Sequence, residues 1–145
     1  MAKKITVLNG PNLNFLGRRE PAIYGRETLK DIENMTRECA RSHGFNVDFL
    51  QSNCEGELVG FIQAAIGESV AIIINPAAYS HTSIAILDAL KMFEGVVVEV
   101  HLSNIHKRET YRHHSFVSER ADAVIAGCGS DGYRFAVEYI VQHDL

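Results

Sequence analysis

Short apolar runs and amphipathic segments alternate along this chain. Ile5, Val7 and Leu8 centre a first strand over residues 4–8. Leu29, Ile32, Met35 and Cys39 recur at helical spacing, predicting a helix over 27–42 that Gly44 stops. Phe45, Val47 and Phe49 alternate with Asn46 and Asp48. That period of two predicts a half-exposed strand near a sheet edge. A second helix over 57–66 closes at Gly67, and residues 70–74 form a continuous apolar, mostly β-branched run. Such a run fits a strand covered on both faces. A third helix over 83–93 precedes Gly95, further strands follow at 96–100 and 123–126, and a closing helix spans 133–142.

Five strands alternating with helices specify an α/β fold, because each parallel connection needs a crossover. Two continuous apolar strands in mid-chain and an alternating second strand fit the order 2-1-3-4-5. Ligands in such sheets bind beyond the carboxyl ends of the strands, where the order reverses. That rule gathers Asn9 and Asn12 after strand one, and Asn75, Pro76 and His81 after strand three. It adds Glu99, His101 and Ser103 at the end of strand four.

With 145 residues the chain makes one catalytic domain, 1–145. A net charge of −4 without a long basic run argues against nucleic acid or an anionic membrane as partner. No apolar run is long enough to span a bilayer, and Met1-Ala2-Lys3-Lys4 lacks a signal-peptide layout. Cys39, Cys54 and Cys128 form no CxxC pair, which fits free thiols in a reducing, cytoplasmic setting. The position of Cys39 on an apolar stripe predicts a buried structural thiol.

Several loops carry candidate chemistry. Glu99 and His101 lie two apart on a strand, so their side chains share a face. A carboxylate there fixes the tautomer of the imidazole and favours its protonated form. The long connection over 10–25 holds Arg18, Arg19 and Tyr24, the layout of a hinged flap. A free phenol ionises only near about pH 10, and a neighbouring guanidinium favours the phenolate. Ser80 or Thr82 can cap the third helix. Arg108 and Arg112, four apart, can grip an anionic or hydroxylated ligand. His101, His106, His113 and His114 lack metal-ligand spacing. Residues 127–132 spell GxGxxG, a dinucleotide motif. No later strand can supply the ribose-binding acid, so the glycines are read as permitting a tight turn.

Jointly these segments resemble the type II 3-dehydroquinate dehydratases (type II dehydroquinases) over nearly the whole chain. The resemblance rests on GPNLN and LGRREPxxYG in the first loop and NPAAYSHTS with AILDAL. VEVHLSNIHKRE, RHHS and the glycine-rich last turn complete it. It implies a flavodoxin-like three-layer sandwich. The implied activity is anti elimination of water from 3-dehydroquinate through an enolate, giving 3-dehydroshikimate, in the shikimate pathway or in quinate breakdown. It implies no metal and no organic cofactor. By resemblance Tyr24 is the base at C2, Arg19 activates it, and Asn12 holds a water on the enolate. His101, oriented by Glu99, protonates the leaving C1 hydroxyl. Asn75 with Leu102 and Ser103 holds the substrate carboxylate, and His81 and Arg112 bind ring hydroxyls. Asp88 reaches into a neighbouring subunit of a dodecamer built from trimers. Ala77 departs from the pattern where glycine is common, and Leu87 where a basic residue is frequent.

Overall fold

The computed structural model describes residues 2–18, 22 and 26–144. Five parallel strands form one sheet: β1 (Lys3–Asn9), β2 (Phe45–Gln51), β3 (Ala71–Asn75), β4 (Val96–His101) and β5 (Ala123–Ala126). Their spatial order is 2-1-3-4-5, as the hydrophobic pattern predicts, with β2 on an edge. Helices α1 (Leu29–Ser42), α2 (Glu55–Ala65), α3 (Ile84–Lys91) and α4 (Asp131–His143) cover the two faces. The result is the flavodoxin-like three-layer sandwich. No described helix is long and apolar enough to cross a membrane.

Strand parity divides the core. Ile5, Val7, Ala71, Ile73, Val98 and Val100 pack with Ile32 and Ala40 of α1 and with Tyr133, Ala136, Val137 and Ile140 of α4. Leu8, Ile72, Ile74 and Val97 pack with Leu58 and Ile62 of α2 and Ile86 and Leu90 of α3. Ile72, Ile73 and Ile74 are buried on both faces of β3, each contributing about 1.5–3 kcal/mol by leaving water.

Several boundaries differ from the sequence reading. A capping box sets the start of α1: Thr28 Oγ1 accepts from the Asp31 amide, and the Asp31 carboxylate accepts from the Thr28 amide. Its buried stripe is Ile32, Thr36 and Ala40, and the Thr36 hydroxyl donates to the Ile32 carbonyl at 2.7 Å. Cys39 therefore sits on the rim, half-buried, rather than in the core. Strand β3 runs one residue later than expected, which makes Asn75 its last residue. The cap of α3 is Ser83, whose Oγ accepts from the Ile86 amide; neither Ser80 nor Thr82 serves. Short 3-10 turns at Ala77–His81, Ile105–Lys107, Thr110–Arg112 and Val117–Glu119 shape the loops beyond the carboxyl ends of β3 and β4.

Candidate active site

Beyond the carboxyl ends of β1, β3 and β4 lies a crevice of about 210 Å³. Asn12, Asn75, His81, His101, Leu102, Ser103 and Arg112 line it, seven of the positions singled out from sequence. Leu13, Ala77, Ala78, Ile105 and Arg108 add to the wall. Glu99 lies behind His101, completely buried. Asp88 is exposed on α3 and does not line the crevice. Arg19 and Tyr24 lie outside the described residues, while Arg18 is exposed.

The first loop leaves the sheet at Gly10, whose amide donates to the Asn75 carbonyl at 2.8 Å. A Cβ at Gly10 would lie 2.3 Å from the Pro76 carbonyl oxygen, so only glycine lets the two loops touch. Asn12 then adopts φ 70°, a left-handed conformation that asparagine tolerates, and its amide donates to Asn53 Oδ1.

Glu99 and His101 follow Val97 in parity and face the α2–α3 side of the sheet. His101 Nε2 hydrogen-bonds Glu99 Oε2. No described residue engages Nδ1 of the same ring, although the ring lines the crevice. The other carboxylate oxygen, Oε1, accepts from the Ser118 hydroxyl at 2.6 Å. Burial pushes the Glu99 carboxyl up, but the bond and charge of His101 and the Ser118 hydroxyl outweigh it and bring the group below its ordinary value. Ser115 assists from close by, although its buried Oγ forms no hydrogen bond of good geometry. The carboxylate is therefore ionised and opposes no water, only its partners.

His81 is set by the loop after β3. Its Nδ1 lies 2.8 Å from the His114 carbonyl oxygen, so Nδ1 carries the proton and donates. Burial pushes this imidazole below the ordinary histidine range, and nearby His101 and Arg112 add to the shift. A neutral ring of that tautomer offers Nε2 as an acceptor, which suits a ligand hydroxyl. Arg112 is held from outside by Glu109, with Nε to Oε1 at 3.0 Å. The bond from the Tyr111 hydroxyl is the largest influence holding Glu109 down, to about 2, with Arg112 contributing. Arg108 reaches Ser103 Oγ at 3.4 Å.

Asn9 and Asn75 are register partners on β1 and β3 and face the α1–α4 side. Asn9 is completely buried beneath the crevice rather than exposed in it. Between the two asparagines sits Tyr133 of α4, its hydroxyl 2.6 Å from Asn9 Oδ1 and 3.1 Å from Asn75 Nδ2. Sequence reasoning takes Tyr133 as the start of a helix and nothing more. The parity of Asn9 and Asn75 could have asked which helix supplies their partner. Ser118 was equally unmarked, since its role depends on a loop folding back over β4.

The turn over 127–132 serves geometry. Gly127 has φ 88°, and a Cβ there would lie 3.1 Å from Asn104 Cβ, so glycine lets β5 turn sharply against the loop after β4. Among the described residues, Cys39, His43 and Glu138 form a trio with metal-ligand chemistry. It lies where α1 ends, at the opposite end of the sheet from the crevice, and reads as a surface contact between His43 Nε2 and Glu138 Oε1 at 3.2 Å.

The family model described as Dehydroquinase class II matches residues 3–141. The 3-dehydroquinate dehydratase of Bartonella henselae is 67% identical over 142 residues, covering 98% of this chain and 96% of that protein. The 3-dehydroquinate dehydratase of Streptomyces avermitilis is 63% identical over 137 residues, covering 94% and 86%. The crystal structure of type II dehydroquinase from Propionibacterium acnes superposes with a TM-score of 0.94 at 45% identity, covering 98% of both chains.

Proposed function

The chain belongs to the class II dehydroquinase family, and on that footing we propose that its crevice dehydrates 3-dehydroquinate to 3-dehydroshikimate through an enolate. The activity itself, that of a type II hydro-lyase, is the one carried by relatives that match nearly the whole chain.

The observation that carries the reading is the Glu99–His101 pair. A carboxylate with no exposure to water holds one ring nitrogen and leaves the other to the crevice. That arrangement fixes the direction of the ring, and with a second proton on Nδ1 the imidazolium donates into the crevice. The C3 carbonyl of the substrate acidifies the C2 proton. Tyr24, activated by Arg19, removes it; Asn12 holds a water on the enolate oxygen; His101 protonates the departing C1 hydroxyl. Asn75, with the backbone at Leu102 and Ser103, receives the substrate carboxylate. His81, neutral and accepting at Nε2, and Arg112 receive ring hydroxyls. No step calls on a metal or an organic cofactor.

The assembly we propose is a dodecamer built from trimers, in which Asp88, exposed on α3, reaches a neighbouring crevice. The test is direct. Purified protein given 3-dehydroquinate should generate the absorbance of a conjugated enone, at the same rate with and without a chelator. Tyr24→Phe should keep the fold and lose turnover by orders of magnitude, since a general base is worth about 100- to 10,000-fold. Near-normal turnover in that variant would remove Tyr24 from the base role, and no enone from the wild-type protein would end the reading.

A further inference from the structure

We propose that Tyr133 and Asn9 are positioning residues that orient the Asn75 amide, so that the crevice always meets an N–H donor at that position and never a carbonyl oxygen. The inference rests on the reading of the crevice as a 3-dehydroquinate site and deepens it: recognition of the substrate carboxylate is set from beneath the floor, by α4.

Hydrogen-bond direction is fixed from both ends of a buried chain. At one end Asn9 Nδ2 lies 2.9 Å from the Leu50 carbonyl oxygen, which can only accept. The Asn9 amide is thereby turned with Oδ1 toward Tyr133, at 2.6 Å, and that oxygen takes the single phenolic proton. The Tyr133 oxygen can then only accept, and it does so from Asn75 Nδ2 at 3.1 Å. At the other end the Ala77 amide, which can only donate, lies 3.2 Å from Asn75 Oδ1. Both ends demand the same orientation. Turning the Asn75 amide over would set an N–H against the Ala77 N–H and leave the buried phenol oxygen facing a carbonyl with no proton between them. Asn75 Nδ2 keeps its second hydrogen for the crevice, the right polarity for a carboxylate. Tyr133 and Asn9 are completely buried, so water cannot substitute for either. Burial also raises the Tyr133 phenol well above its ordinary range, so its proton stays in place at every working pH.

Tyr133→Phe keeps the ring that packs against Phe49 and removes only the link. The substitution removes both hydrogen bonds of the hydroxyl, and loss of the one to Asn75 should raise KM for 3-dehydroquinate about tenfold and leave kcat within about threefold, because His101 lies on the other face of the sheet. In an Asn75→Ala background the same substitution should leave KM unchanged, since it acts through Asn75. A merely structural role would lower melting temperature and active fraction without moving KM. Asn9→Leu, a second way to cut the chain, should raise KM in the same direction. Exchange of the Asn75 side-chain amide protons, followed by NMR, supplies a readout without substrate: slow in the wild-type protein and fast in Tyr133→Phe. An unchanged KM, a KM effect that persists without Asn75, or unchanged amide exchange would overturn the proposal. If the wild-type protein does not act on 3-dehydroquinate, the functional reading fails, and the amide exchange alone decides this one.

Discussion

The Ser118 hydroxyl donates to Glu99 Oε1 at 2.6 Å, on the carboxylate oxygen that His101 leaves free. The two partners divide the carboxylate between them. A hydrogen bond to a charged group is worth about 1.5–3 kcal/mol, so Ser118→Ala should lower kcat/KM at least tenfold. Losing a donor that holds Glu99 down should also move the acidic limb of the pH–rate profile to higher pH. A profile unchanged in shape would detach Ser118 from the dyad.

The same depressed carboxyl predicts how stability falls in acid. Its folded value lies below the ordinary 4.5, so its contribution is complete above pH 4.5 and is lost as pH falls through the lower folded value. Glu99→Gln removes that titration. Melting temperature followed from pH 6 down to about 3 should drop less steeply in the variant than in the wild-type protein. Parallel curves would mean that Glu99 carries no linked proton.

Ala77 stands at φ 52°, in the left-handed region that favours glycine. A β-carbon there costs about 1–2 kcal/mol, and glycine gives back about 0.5–1 through chain entropy. Ala77→Gly should therefore stabilise the protein by up to about 1 kcal/mol and raise Tm by about 2–4 °C. Calorimetry checks this. A lower Tm would show that Ala77 packs well enough to offset its conformation.

Arg19→Ala should shift the pH optimum upward, because Tyr24 would lose the cation that favours its phenolate. The check is the pH dependence of kcat, and a profile identical to that of the wild-type protein would separate the two residues.

Much of this site is legible in the sequence, and the reason is parity and topology. An alternating second strand and two continuous apolar strands specify the strand order, and that order marks the crevice. Glu99 and His101 follow because side chains two apart on a strand share a face. What was hidden depends on distance along the chain. Ser118 meets Glu99 only because a 3-10 turn folds back over β4, and Tyr133 meets Asn9 only when α4 docks. Cys39 was misplaced for a different cause. Thr36 satisfies its hydroxyl on the Ile32 carbonyl and can enter the core, which turns the buried stripe away from the thiol.

The bond between Tyr133 and Asn9 joins residues 124 apart. During synthesis on the ribosome, β1 and β3 emerge long before α4 does. Until then the Ala77 amide alone sets the sense of the Asn75 side chain. The second fix on that amide, through Tyr133, arrives only with the last helix, so the floor of the crevice is the last part of the proposed site to be completed.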